Sequence, residues 1–342
     1  MLTANIPMAH VGPIKICGAH VNDEVHIPLA TYESPLWPSV KRGAKISQLS
    51  DGIHVSVVDD RMTRSILLEA PNAARAVAVV KAVEQRHPEI ASVVEETSRY
   101  AKLLDIHTQI VGKLIYLRIE CFTGDASGHN MVTQASQQVL NWLLSQYDDL
   151  HYVSVSANYC TDKKASAVNG ILGRGKYVIA EIVIPKAICA KALNTTAEKI
   201  VELNLKKNLI GTTLAGGIRT ANAHFANILL AAYLATGQDA ANIIEGSQGI
   251  VYAESQQGDL YFSVTIPNLI VGTVGNGKEI DFVQKNLADL GCLEKREPGE
   301  NATRLAVIIA AAVLCGELSL MAAFTNPGEL MRSHLLIERR KK

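Results

Sequence analysis

The stretch Asn301–Phe324, NATRLAVIIAAAVLCGELSLMAAF, decides how the rest of the chain is read. It carries no proline, its alanines favour helix, and its apolar residues recur on every side rather than along one stripe. A helix apolar all round has to be enclosed. Its longest unbroken apolar run, Leu305 to Cys315, is too short to span a bilayer and ends at Gly316-Glu317. The stretch therefore predicts a buried core helix.

Outward from that helix the patterns alternate. The first sixty-odd residues read as short strands, among them EVHIPLA and GIHVSVV, joined by loops with glycine and proline. From Asn72 to about Leu104 the apolar recurrence turns helical. KLIYLRIECF then alternates as a strand, GDASGHN breaks it, and MVTQASQQVLNWLLSQY resumes as an amphipathic helix. Together these form a compact α+β unit. KYVIAEIVI and DLYFSVTIPNLIVGTV read as strands, and NAHFANILLAAYLATGQDAAN as a strong helix.

The 342 residues suffice for two domains, or for one large domain with an insertion. Lysine plus arginine balances aspartate plus glutamate at 33 each, which leaves a nucleic-acid partner without an electrostatic footprint. The terminal Arg339, Arg340, Lys341 and Lys342 read as a solvated end. Six cysteines are scattered with no CxxC pair, the pattern of reduced thiols rather than a disulfide framework or zinc site. The opening MLTANIPMAHVGPIKI has no signal-peptide design. The expectation is a soluble, cytoplasmic protein with no membrane partner.

Four ionisable positions stand in apolar or glycine-bounded settings: Glu33, the doublet Lys163-Lys164, Asp239 and His334. Each alone reads more readily as a cap or a solvent contact. Together they supply complementary roles. A carboxylate and an ammonium held close shift each other's pKa and share a proton. A lysine stabilises an oxyanion, and a histidine near its pKa protonates a leaving group. That inventory suits reduction or cleavage of a carbonyl or thioester. GDASGHNM follows a strand and opens a helix, so its N–H groups can face phosphate, although it is not GxGxxG. The Ser98 to Lys102 stretch reads either as a nucleotide-phosphate grip or as a solvated helix face. With no HExxH, P-loop, GxSxG or clustered Cys/His set, no metal is expected.

PLATYES, DDRMTRS, TSRYAKL, GDASGHNM, NYCTDKKASAVNGILGRGK, LKKNLIG, NAHFANI, GQDAAN, GTVGNG, NPGENATRLAVIIAAAVLCGELSLMAA and RSHLL occur in this order. In that order and rough spacing the chain resembles the 3-hydroxy-3-methylglutaryl-coenzyme A (HMG-CoA) reductase family from about Ile6 to His334. The resemblance implies an α+β fold with a large helix-centred domain for substrate and coenzyme A, residues 1–65 and 155–342. Residues 66–154 would form an inserted small ferredoxin-like nucleotide-binding domain. It implies a homodimer, or a dimer of dimers, with active sites at the subunit interface. The implied reaction takes HMG-CoA to mevalonate and free coenzyme A with two NADPH.

The implied roles fall on numbered residues. Lys163 resembles the lysine that holds the oxyanion, Glu33 the acid that protonates the second carbonyl, and Asp239 the aspartate that sets their proton balance. His334 resembles the histidine that protonates the departing thiolate. Arg64, Ser156, Asp162, Lys164, Lys207 and Asn227 fall where the family places its substrate. Ser39, Lys41 and Arg42 match its coenzyme A phosphate region. Ser98, Arg99 and Tyr100 match a class I grip on the NADP phosphate, with tyrosine for phenylalanine. Asp125, Gly128, Asn130 and Met131, with Val274 and Gly275, match the cofactor loops. The chain departs from the family pattern at Ser127, His129, Arg219, Thr220 and Asn276, and at Pro35, Trp37 and Pro38. Two alternatives stay open: a reductase of a different acyl-CoA, and a non-catalytic paralogue.

Overall fold

The structure, a computed structural model, describes residues 4–338. Among the described residues nine strands form two sheets that share one strand. The strands are β1 Met8–Cys17, β2 Asp23–Ala30, β3 Ile53–Glu69, β4 Lys102–Val111, β5 Leu114–Phe122, β6 His151–Ser154, β7 Gly175–Ile184, β8 Ile250–Gln256 and β9 Asp259–Leu269. The larger sheet runs β2-β1-β3-β7-β9-β8. The smaller runs β4-β5-β3-β6, antiparallel throughout.

β3 is the hinge of the architecture. Residues His54–Arg61 pair with β7, and Met62–Glu69 pair with β5. A register shift between Val57 and Asp59 supplies the change of face. An extra residue in a strand moves the following side chains to the opposite face. Ile53 and Val55 thus point into one core, and Met62, Ile66 and Leu68 into another. Asp59, Asp60 and Arg61 fill the crossover with ion pairs, including Lys176 Nζ on Asp60 at 3.0 Å.

The smaller unit follows strand–helix–strand–strand–helix–strand order through the helical segment 73–95, the β4-β5 hairpin and the helix His129–Gln146. That order, with β3 between β5 and β6, is the ferredoxin-like arrangement. The predicted helical span from Asn72 to Leu104 resolves differently. Helices Ala73–Gln85 and His87–Glu95 meet at Arg86, just before Pro88, and Leu103 and Leu104 belong to β4. Proline at the first turn of the second helix favours this restart.

The helix Glu300–Phe324 lies at the centre of the larger core. By length and composition this 25-residue helix could cross a membrane, so the shorter apolar run understated it; 94% of its most apolar window is buried inside the protein. Helix Leu36–Leu49, which the strand reading of the first sixty residues did not anticipate, crosses it at Gly43. A Cβ at Gly43 would stand 2.2 Å from the Cys315 carbonyl oxygen, so only glycine permits the approach. The N-terminus of the central helix is capped from outside. Asp125 accepts from the Gly299 N–H at 3.1 Å and the Ala302 N–H at 2.9 Å, meeting donors the helix leaves open.

Candidate active site

The loop that carries Lys163 is bent through three non-glycine residues in the left-handed region: Asn158, Thr161 and Lys163 at φ 59°, 43° and 56°. Such residues cost about 1–3 kcal/mol each, so other contacts have to fix them. Ser65 Oγ accepts from the N–H groups of Tyr159 and Cys160 at 2.9 and 3.1 Å. Glu245 Oε1 accepts from the Lys163 N–H at 3.0 Å and from Arg174 at 2.7 Å. Arg174 is fully buried, and its other arm reaches Asp162 at 3.1 Å. One guanidinium thus spans the two carboxylates on either side of the Lys163 backbone. The planar fork of arginine suits that task.

The Lys163 ammonium lies 2.7 Å from Asp239 Oδ2. Asp239 is fixed in turn, because its other oxygen accepts from the Ala241 N–H at 3.1 Å. The hydrogen bond to Asp239 raises the Lys163 pKa against the opposing effect of burial. Burial pushes Asp239 up, but Lys163 and the Ala241 N–H outweigh it and leave the carboxyl below its ordinary value. The pair is therefore ionised at neutral pH. Its side chains are 40% and 46% exposed in the single chain, so it is not in a closed, dry pocket there.

A cavity of about 540 Å³ opens around this pair. Arg64, Asp162, Asn130, Met131, Val274 and Gly275 line it, which joins proposed substrate and cofactor positions to Lys163 and Asp239. Arg64 contacts Thr133 at 2.9 Å, Ser156 at 3.4 Å and Asp162 at 3.6 Å. His129 stands 3.7 Å from Asp162. Burial, helped by Arg174, lowers its pKa to about 4, so the ring is neutral at pH 7 and this contact is not an ion pair. Gly128 caps the helix His129–Gln146 at φ 87°, and a Cβ there would stand 2.5 Å from Thr123 Oγ1. The turn before this helix requires glycine at that position.

Glu33 lines a different cavity of about 300 Å³ with Ser39, Arg42, His224 and Asn227. Asn227 donates to Glu33 Oε2 at 3.0 Å. Beneath this cavity the fully buried Glu317 of the central helix accepts from the Ala223 N–H, and from the His224 N–H at 3.0 Å. Desolvation raises its pKa to about 7. Lys207 stands 5.3 Å over the Phe324 ring, and burial lowers its pKa. A third cavity, about 580 Å³, is lined by Lys41, Arg42, Lys45 and Lys191, with no carboxylate among its lining residues.

The family model for hydroxymethylglutaryl-coenzyme A reductase matches residues 2–339. The 3-hydroxy-3-methylglutaryl-coenzyme A reductase of Pyrococcus horikoshii is 46% identical over 337 residues, covering 98% of this chain and 81% of that protein. The chain belongs to the hydroxymethylglutaryl-coenzyme A reductase family. Reductase 1 of Oryza sativa subsp. japonica is 41% identical over 98% of this chain and 64% of its own length. The class II reductase of Streptococcus pneumoniae, solved bound to NADPH, shares the fold with a TM-score of 0.74 at 18% identity, over 95% of this chain and 86% of that one.

Several expected positions of the reductase stand apart from the Lys163 cavity. Lys164 is exposed and donates to the Asp162 carbonyl at 3.1 Å. Ser98 Oγ accepts from the Tyr100 N–H at 3.2 Å, and Arg99 stacks on the Tyr100 ring at 4.6 Å. The Asp125 carboxylate is committed to the central helix. Arg42 is held by the carbonyls of Ala192 and Leu193 and by Glu329 at 2.8 Å. The side chain of His334, in the helix Glu329–Glu338, lies outside the described residues.

Sequence reasoning missed Arg174, Glu245, Lys45, Lys191 and His224. Arg174 sat unremarked within GRGK, and Glu245 is a lone acid in NIIEGSQG. Among the described residues, Asp105, His107 and Glu120 gather closely enough to hold a cation. Arg61 and Arg118 already pair with Glu120, so the charge there is met by guanidinium.

Proposed function

We propose that the chain reduces HMG-CoA to mevalonate with two NADPH and releases coenzyme A. The observation that carries this reading is the Lys163–Asp239 pair, 2.7 Å apart on the wall of a cavity that also bears the cofactor loop. The cavity suits an anionic dinucleotide: a glycine-capped helix N-terminus opens onto it and three cations line it. Bound NADPH supplies the hydride for each reduction.

Lys163 holds the oxygen that turns negative as the thioester carbon is reduced, and Asp239 keeps that lysine charged. When the carbon–sulfur bond breaks, the thiolate takes one proton, the role assigned to His334. The resulting aldehyde is reduced to an alkoxide, which takes a second proton, the role assigned to Glu33. Two hydrides and two protons convert the acyl thioester into an alcohol and a thiol. Arg64, Ser156, Asp162, Lys164, Lys207 and Asn227 position the substrate. Ser39, Lys41 and Arg42, joined by Lys45 and Lys191, face the coenzyme A phosphates. Ser98, Arg99 and Tyr100 select NADPH, in the class I manner.

Glu33 and Lys163 line separate cavities of one chain, which supports assembly as a homodimer or dimer of dimers that brings the two walls together. Leu209, Ile210, Leu214 and Ile218 project from the segment after Lys207 and give such a contact an apolar surface. The two hydrophobic cores support a division near residues 65 and 155 into a large substrate domain and a small cofactor domain. Six unpaired cysteines suit a cytoplasmic setting. The test follows NAD(P)H absorbance with HMG-CoA, in parallel with NADPH and NADH. Turnover with NADPH exceeding that with NADH is expected. No turnover with either cofactor refutes the reading.

A further inference from the structure

Among the described residues two lysines are almost completely enclosed, Lys176 at 3% exposure and Lys278 at 6%. Lys176 has the counter-ion such a position demands, both oxygens of Asp60 at 3.0 Å. Among the described residues, Lys278 has no carboxylate within ion-pair distance. Its ammonium donates to the Gly237 carbonyl and sits in the loop Gly275-Asn276-Gly277-Lys278, on the wall of the cavity shared by Lys163 and Asp239. An ammonium out of water without a counter-ion is costly, and burial lowers its pKa to about 8 although Glu279 opposes. One backbone carbonyl satisfies only one of its three donors. The same cavity receives the N-terminus of the 18-residue helix His129–Gln146, which no side chain caps. A buried cation and an open helix N-terminus on one cavity are complementary to a multiply charged anion.

We propose that Lys278 is a cofactor-binding residue that, with the N-terminus of helix His129–Gln146, clamps the diphosphate of the nicotinamide dinucleotide. This rests on the cofactor reading above. The diphosphate rather than the 2′-phosphate is assigned because Lys278 is tied to Gly237, two residues before the reactive Asp239. Ser98, Arg99 and Tyr100 lie elsewhere, with Tyr100 packed beside Gly124. Lys278 therefore gives the GTVGNGK loop a charge to deliver, beside the bends that Gly275 and Gly277 make at φ 102° and 84°.

The test is equilibrium binding of NADPH and of NADH, followed by nucleotide fluorescence, to the unmodified chain, K278M and K278R. Coenzyme A binding reports that each variant is folded. K278M is expected to weaken both dinucleotides by the same factor, about tenfold or more, and K278R to recover most of the loss. Should K278M fail to fold, K278Q replaces it with the same expectation. Unchanged dissociation constants overturn the proposal. A loss confined to NADPH also overturns it, because Lys278 would then read the 2′-phosphate. If the unmodified chain binds neither dinucleotide, the cofactor reading itself falls.

Discussion

Replacing Arg174 by methionine tests how the site is held. The guanidinium is fully buried between Asp162 at 3.1 Å and Glu245 at 2.7 Å, so the variant leaves Glu245 without its guanidinium and Asp162 with Arg64 alone, at 3.6 Å. Breaking a buried pair in this way costs about 3–5 kcal/mol. With an unfolding entropy of about 2.1 cal/mol/K per residue, a chain of 342 residues gains about 0.7 kcal/mol/K on unfolding. A loss of about 4 kcal/mol thus lowers the melting temperature by about 5–6 °C. The effect on turnover has a separate origin. Lys163 is held at φ 56° through Glu245, and that conformation relaxes once Glu245 loses Arg174. Releasing about 1–3 kcal/mol of backbone strain depopulates the paired Lys163 geometry by about 5- to 150-fold. Steady-state kinetics should show that fall in kcat while the KM for NADPH stays within twofold. Lysine at 174 should not rescue, since one ammonium cannot span both carboxylates. The double variant with K163A should be no slower than K163A alone. Multiplying losses, or an R174M enzyme with unchanged kcat, would refute the clamp.

Lys163→Ala should lower kcat by about 10²–10³ with the melting temperature preserved, because the lysine is surface-accessible and acts on developing charge. Asp239→Asn should move the alkaline limit of activity to lower pH, since Asp239 holds the Lys163 pKa up; an unmoved pH–rate profile contradicts the pairing. Glu317 is buried with its pKa raised from 4.5 to about 7, so the folded state binds the extra proton. Its contribution to stability is full below about pH 4.5 and lost as pH rises through 7, on the order of 3 kcal/mol in all. Glu317→Gln should flatten that slope in denaturant titrations, and an unchanged slope between pH 5 and 8 removes Glu317 as its source. Arg99→Ala should weaken NADPH binding by about tenfold more than NADH binding, measured by fluorescence titration.

The central helix was legible because an apolar surface on all sides leaves a chain one option, enclosure. The strands of the larger sheet were legible where one face is buried and alternation survives. β3 was not, because a bulge at Val57–Asp59 reverses the alternation midway and disguises a 17-residue strand as a short one. Helix Leu36–Leu49 was hidden by Pro38 and Gly43, residues that usually interrupt helices; here proline occupies the first turn and glycine admits the Cys315 backbone. Lys163 and Asp239 could be singled out by their setting, and the structure brings them into contact. Arg174 and Glu245 could not, since a buried arginine in sequence looks like any charge in a glycine-rich turn. Their importance lies in a pairing across 71 positions that no local pattern records.

Asp125 joins two things usually kept separate in an enzyme. The loop around the proposed nucleotide cavity also closes the start of the helix that organises the larger core. A substitution at Asp125 should therefore first appear as lost solubility or expression rather than as altered coenzyme choice. Attempts to switch this protein between coenzymes have more freedom at the Ser98–Tyr100 turn, where no such architectural duty is attached.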